Sequence, residues 1–151
     1  MKSRRANSLS EEVGQFTFCV AAILENTKGE ILLIKRAPDN PPENVWDVVG
    51  GAVEQFEDPF EGLKREVEEE TGITDFEIVK ALDDFHWYQE EPKWDMIGLT
   101  FWCKTNTREV ILSDEHVKFK WLKPKDALKI SNHQIVTSNL KQYIKEKNRL
   151  E

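Results

Sequence analysis

Four carboxylates fall within five residues at Glu66, Glu68, Glu69 and Glu70, inside the run REVEEETG of residues 65–72. On a helix, positions i, i+3 and i+4 are neighbours, so Glu66, Glu69 and Glu70 share one arc while Glu68 points elsewhere. The like-charged pairs Glu66/Glu69 and Glu66/Glu70 cost about 0.2–0.5 kcal/mol each. A solvated face tolerates that penalty, and charge runs usually are solvated faces. A divalent ion would offset it: three carboxylates presented to one point form a hard-oxygen site for Mg²⁺ or Mn²⁺. His and Cys are absent from the run, which argues against zinc. Arg65 lies three or four residues from Glu61, Glu68 and Glu69, so it can orient at least one carboxylate.

A helix must carry these acids, and its ends are written in the chain. Asp58 suits the N-cap, Pro59 the first helical position, Glu61 a capping box and Gly72 the residue past the end. The spacing predicts a helix over residues 59–71, with Phe60, Leu63 and Val67 on its core face. Gly62, one turn before Glu66, leaves the acidic arc uncovered.

Strands are expected at QFTFCVAAIL (residues 15–24) and ILLIKR (residues 31–36), joined as a hairpin, and at residues 46–49 running into Gly50-Gly51. Residues 37–45 hold three prolines and read as a loop. Further strands are expected over residues 76–82, 96–104 and 119–122, with DDFHWYQEEPKWD as a polar and aromatic connection between the first two of these. Pro124 opens a helix to about Ile130, and Ser131 is expected to cap a last helix ending near Lys147. Mixed strands and helices give an α/β or α+β layered fold in one domain.

At 151 residues the chain is long enough to bury a core without staples. A net charge of -7 argues against binding polymeric nucleic acid, which needs a basic stripe. No apolar run reaches the ~20 residues of a membrane span. Residues 1–13 have basic residues but no apolar segment behind them, so they read as a flexible arm and not as a secretory signal. Cys19 and Cys103 lie in apolar strands and read as reduced core thiols of a cytoplasmic protein.

Gly51, five residues, Glu57, seven residues, then Arg65-Glu66-Val67-Glu68-Glu69-Glu70-Thr71-Gly72-Ile73 resembles the Nudix box at every specified position. The order around it, ILLIKR, loop, WDVVGG, box and later EHVKFKWL, also resembles that family. The resemblance implies an α/β/α sandwich with a central mixed sheet over residues 14–151. It also implies hydrolysis of a nucleoside diphosphate linked to another moiety. By the same resemblance, Glu66, Glu69 and Glu70 hold Mg²⁺, with Mn²⁺ as substitute, while Glu57 can reach the ion and the Gly51 backbone approaches it closely. Arg65 organises these groups, and a homodimer is possible by analogy with the family alone. Three residues depart from the common pattern: Val49 replaces Pro, Phe56 replaces Gly, and Gly62 replaces Ala. None is a ligand or a base, but Phe56 puts the loop's shape in question.

The box leaves the general base open between Glu66 and Glu115. Trp87 and Trp94 are candidate base-stacking residues, while Trp46 reads as core. Lys35 and Arg36, at a strand end, are candidates for phosphate. His86 and His116 could touch phosphate or substrate, although a lone loop histidine is more often exposed and idle. The chain's small size favours a nucleoside triphosphate, with ADP-ribose, a nucleotide sugar or a dinucleoside polyphosphate as alternatives. A non-catalytic, nucleotide- or protein-binding domain would show a lost carboxylate in the box, and none is lost.

Overall fold

A computed structural model describes residues 15–151; the arm expected over residues 1–13 lies outside the described residues. The element order is β1 (Thr17–Glu25), β2 (Ile31–Arg36), β3 (Trp46–Asp47), β4 (Val49–Ala52), α1 (Pro59–Thr71), β5 (Phe76–Glu90), β6 (Lys93–Thr105), β7 (His116–Leu122), α2 (Pro124–Ile130) and α3 (Gln134–Leu150). The seven strands form one mixed sheet with the path β3-β2-β1-β6-β5, to which β4 is added on β1 and β7 on β2.

Strand alternation explains the two helical layers. In β1, Val20, Ala22 and Leu24 face one side and pack with Leu63 and Val67 of α1. Ala21 and Ile23 face the other side and pack with Ala127 of α2 and with Val136, Leu140 and Tyr143 of α3. β1 is buried on both faces, as its near-continuous apolar run requires. Among the described residues, no helix is long and apolar enough to cross a membrane.

The expected β1–β2 hairpin is reduced to one paired position, Glu25 with Ile31. Beyond it the strands diverge: β1 runs parallel to β6 from Thr17/Met96 to Glu25/Lys104, and β4 takes the place beside Cys19 to Ala22. Gly50 and Gly51 therefore lie inside a strand and not in a loop after one. The connection expected between residues 83 and 95 is itself strand. β5 and β6 continue as an antiparallel ribbon to Glu90/Lys93, because Phe85, Trp87 and Gln89 alternate with more exposed Asp84, His86 and Tyr88. Helix α3 is capped by His133, whose Nδ1 accepts from the Ile135 N–H at 3.2 Å, and it runs on to Leu150. Ser131, expected at that cap, instead ends α2, and its hydroxyl meets Thr137 at 2.7 Å.

Helix α1 has the expected limits. Asp58 Oδ1 accepts from the N–H of Phe60 and Glu61, and Gly72 ends the helix at φ 74°. Glu61 does not close a box on the cap; its carboxylate takes Lys64 Nζ at 3.4 Å. Phe60, placed on the core face by spacing, is 48% exposed and touches the core only edge-on, against Phe101. It sits in the first turn of α1.

Phe56 adopts φ 68°, the left-handed conformation that glycine takes without cost, and its side chain is fully open to solvent. The loop thus keeps a turn suited to glycine at the expense of strain. Phe56→Gly is expected to stabilise the protein by about 0.5–1 kcal/mol, the relief of strain less glycine's extra unfolded-chain entropy. Thermal unfolding at neutral pH measures it, and an unchanged or lower Tm contradicts it.

Candidate active site

Arg65 is the hub of the site. Its Nε and Nη2 make a two-point contact with Glu57, at 2.8 Å to Oε2 and 2.9 Å to Oε1. Its Nη1 reaches Glu66 Oε1 at 2.9 Å and Glu69 Oε2 at 3.3 Å, and Nη2 also donates to Ala52 O at 3.0 Å. A planar fork with five donors can hold this many oxygens, whereas a lysine cannot. Arg65 holds the Glu57 carboxyl down at about 2, aided by the Glu54 N–H.

Glu66 lies directly over Gly51. A Cβ on Gly51 would stand 2.3 Å from the Glu66 carboxyl carbon, so only glycine leaves room for that carboxylate. A Cβ on Gly62 would come within 2.8 Å of Glu57 Oε1, so an alanine there would require the end of that side chain to shift. Burial raises the Glu66 pKa, Arg65 opposes the shift, and Glu69 and Glu115 add to it.

Glu70 is the deepest acid, 4% exposed. Its Oε1 accepts from the Gly50 N–H at 2.8 Å, and its Oε2 lies 3.3 Å from His116 Nδ1. Burial, offset in part by the Gly50 N–H and reinforced by Glu66, Asp47 and Glu115, pushes its carboxyl up to about 8. Glu69 remains largely open to solvent.

The three acids of the helical arc do not gather as one set. Among the described residues, the group whose ligand atoms lie within 4.8 Å of one another is Glu70, Glu115 and His116. His116, expected as an exposed loop residue, is 5% exposed at the start of β7. Its position follows from the pairing of β7 with β2, which sets His116 opposite Arg36. Glu115 is exposed, as a residue of the preceding loop, but its carbonyl is pinned by Ala37 N and Asn40 Nδ2, both at 2.9 Å.

Beside Gly50 and Gly51 opens a cavity of about 350 Å³ whose walls include Arg36, Trp87, Trp94 and Asn139. Both candidate stacking tryptophans are thus in it; Trp87 also packs on His133 with ring centroids 5.3 Å apart. Lys35 is not in the wall: its ammonium lies over the Trp46 ring, 5.8 Å from the centroid. Arg36 is in the wall, but its guanidinium is tied to Asp47 at 3.0 Å, Asn40 Oδ1 at 2.8 Å and Pro41 O at 2.8 Å. Asn139, 2% exposed on α3, and Asp47 also face the cavity, and neither was singled out by spacing. Their signal is only that a helix and a short strand each hold one polar residue turned inward.

A mixed sheet between helices, with buried acids beside a nucleoside-sized cavity, is the frame of a hydrolase of phosphorus anhydrides. The description "NUDIX domain" matches residues 15–143, so the chain belongs to the Nudix family. It is 33% identical over 111 residues to the CTP pyrophosphohydrolase of Escherichia coli (strain K12), covering 72% of this chain and 77% of that one. It is 34% identical over 116 residues to the nucleoside triphosphatase NudI of the same strain, covering 71% and 82%. Among solved structures, the MutT protein from Methanosarcina mazei Go1 superposes with a TM-score of 0.76 at 27% identity, covering 87% of this chain and 95% of that one. A C. elegans Ap4A hydrolase shares the fold, with a TM-score of 0.74 at 24% identity, covering 87% and 98%.

Nudix hydrolases in general use a divalent metal, and the residues here fit one. Glu70 is a buried acid repelled by three other carboxylates, and His116 Nδ1 is a buried nitrogen without a hydrogen bond. Glu68 is the acid of the run that stands outside these contacts, exposed on α1. Glu68→Gln is therefore expected to retain kcat/KM within about threefold of wild type, the range of a surface change worth ~0.5 kcal/mol. Steady-state kinetics checks it, and a tenfold loss would show that the acids have been sorted wrongly.

Proposed function

We propose that the protein is a Mg²⁺-dependent pyrophosphohydrolase that cleaves the diphosphate linkage of a nucleoside triphosphate, releasing a nucleoside monophosphate and pyrophosphate. The observation that carries the reading is the continuity of the cavity. One space runs from Gly50 and Gly51, beside the acids of α1, to Trp87, Trp94 and Asn139. A phosphate chain laid on the glycine strand would place its base between the aromatic walls, and its volume suits one small nucleotide. The likeness to two nucleotide hydrolases of E. coli supports the same substrate class.

Glu66, Glu69 and Glu70, with Glu57 and Glu115 near them, would hold the ion. When bound, Mg²⁺ would neutralise phosphate charge and lower the pKa of an attacking water. Every other part of the task falls to the chain. Arg65 holds one oxygen of Glu66 and leaves the other free. Glu66 is thus the oriented carboxylate that takes the proton of the attacking water as general base. Glu115 then serves as a ligand from the loop side. Gly50 fixes Glu70 through its N–H, and Trp87 and Trp94 stack the base.

The test is a nucleotide panel with Mg²⁺ and identification of products. Nucleoside monophosphate plus pyrophosphate from a triphosphate supports the reading. Turnover confined to ADP-ribose, nucleotide sugars or dinucleoside polyphosphates would move the substrate class, and no turnover on the whole panel would overturn it. In the same assay Glu66→Gln should lose far more kcat than Glu115→Gln; the reverse order would transfer the base to Glu115.

A further inference from the structure

An all-oxygen site has no use for an imidazole, yet the fold brings one to it. Glu115 is held by its backbone to residues 37–40, and the next N–H, of His116, donates to Ser113 O at 3.3 Å. The ring that follows is nine-tenths buried against Glu70, and its Nδ1 makes no hydrogen bond. Buried polar atoms without partners are rare enough to require a reason.

The distance supplies one. His116 Nδ1 and Glu70 Oε2 are 3.3 Å apart, longer than the usual N–H···O bond. Two donors each ~2.1 Å from one ion stand about 3.0 Å apart in octahedral and about 3.4 Å apart in tetrahedral coordination. The observed separation falls between them. The Glu115 carboxylate completes a group whose ligand atoms are all within 4.8 Å. Charge points the same way, because Glu70 is surrounded by acids, while the nearby cation, Arg36, is already bound to Asp47 at 3.0 Å.

We propose that His116 is a metal ligand, forming with Glu70 and Glu115 a mixed imidazole–carboxylate position that prefers a first-row transition ion to Mg²⁺. This position shares Glu70 and Glu115 with the residues proposed to hold Mg²⁺ and differs from the face of Glu66 and Glu69 by its imidazole. It takes Mn²⁺ or Co²⁺, because imidazole nitrogen raises affinity for transition ions far more than for Mg²⁺. The inference rests on the metal dependence of the proposed hydrolase, and it assigns two kinds of ion to two parts of one site.

Pulsed EPR on the full chain loaded with Mn²⁺ tests it without any substrate. The wild type should show ¹⁴N modulation from an imidazole on the bound ion. His116→Asn should lose that modulation and about 10- to 100-fold of its Mn²⁺ affinity, with Mg²⁺ affinity nearly unchanged. His86→Gln, which alters an exposed histidine paired with Asp95, should keep the signal. Bound Mn²⁺ without nitrogen coupling in the wild type overturns the assignment, even if His116→Asn fails to fold, and leaves the hydrolase reading standing. Coupling that persists in His116→Asn overturns it in favour of another histidine. Failure to bind Mn²⁺ at all overturns it too, and Mg²⁺-dependent turnover then decides the hydrolase reading separately.

Discussion

Glu70→Gln is expected to lower kcat/KM by about 10³-fold, the scale at which loss of one stabilising group registers in a transition state, while leaving the fold intact. The substitution is nearly isosteric. Its amide oxygen can still accept the Gly50 N–H that now reaches Glu70 at 2.8 Å. What disappears is a negative charge, and that charge is costly to the fold. Burial and three neighbouring acids raise the Glu70 carboxyl from an ordinary 4.5 to about 8. A carboxyl raised in the folded state binds its proton more tightly there than in the unfolded chain. It therefore adds stability that is fully present below about pH 4.5 and lost as pH rises through about 8. With EDTA present, wild type should be more stable at pH 5.5 than at pH 8.5 by an increment that Glu70→Gln lacks. Thermal unfolding of both proteins at both pH values, beside kinetics at saturating Mg²⁺, measures each half. A variant that is inactive because it is unfolded, or folded and fully active, would remove Glu70 from the centre of the site.

Local chemistry was legible: Asp58, Pro59 and Gly72 bound α1 where expected, and the two-sided burial of β1 follows from its apolar run. Long-range pairing was not. His116 shows why, because β7 reads as apolar at Val117 and Phe119, yet both are exposed while the histidine is buried. Burial there is set by docking β7 on β2, a contact some 80 residues apart in sequence. The β5–β6 ribbon failed differently. Its period of two, Phe85, Trp87, Gln89, was present in the chain but masked by acidic and aromatic residues that resemble a loop. That misreading matters to function, because the ribbon is what carries Trp87 and Trp94 to the cavity. Spacing put Glu66, Glu69 and Glu70 on one arc of α1, whereas the grouping of Glu70 with Glu115 and His116, and the cavity beside Gly50 and Gly51, depended on tertiary pairing.

Arg65→Ala should cost about 10- to 100-fold in activity, as expected for a residue that positions ligands without touching the reacting atoms, and it should also destabilise the protein above pH 5. Three carboxylates lose their shared partner at once: Glu57, Glu66 and Glu69. Glu66 suffers most in function. Without the 2.9 Å contact to its Oε1, its carboxylate is no longer held in orientation by Arg65. Glu57 carries the pH signature, because Arg65 depresses its carboxyl from 4.5 to about 2. A depressed carboxyl contributes stability that is present above about pH 4.5 and lost as pH falls through about 2. The gap in Tm between wild type and Arg65→Ala should therefore be full at pH 7 and shrink progressively below pH 4.5. Arg65→Lys separates charge from geometry: one ammonium keeps the charge but cannot make the two-point contact with Glu57 and also reach Glu66. If Lys restores stability but not activity, Arg65 acts through orientation. If Lys restores both, charge alone suffices and the network around the fork has no catalytic purpose.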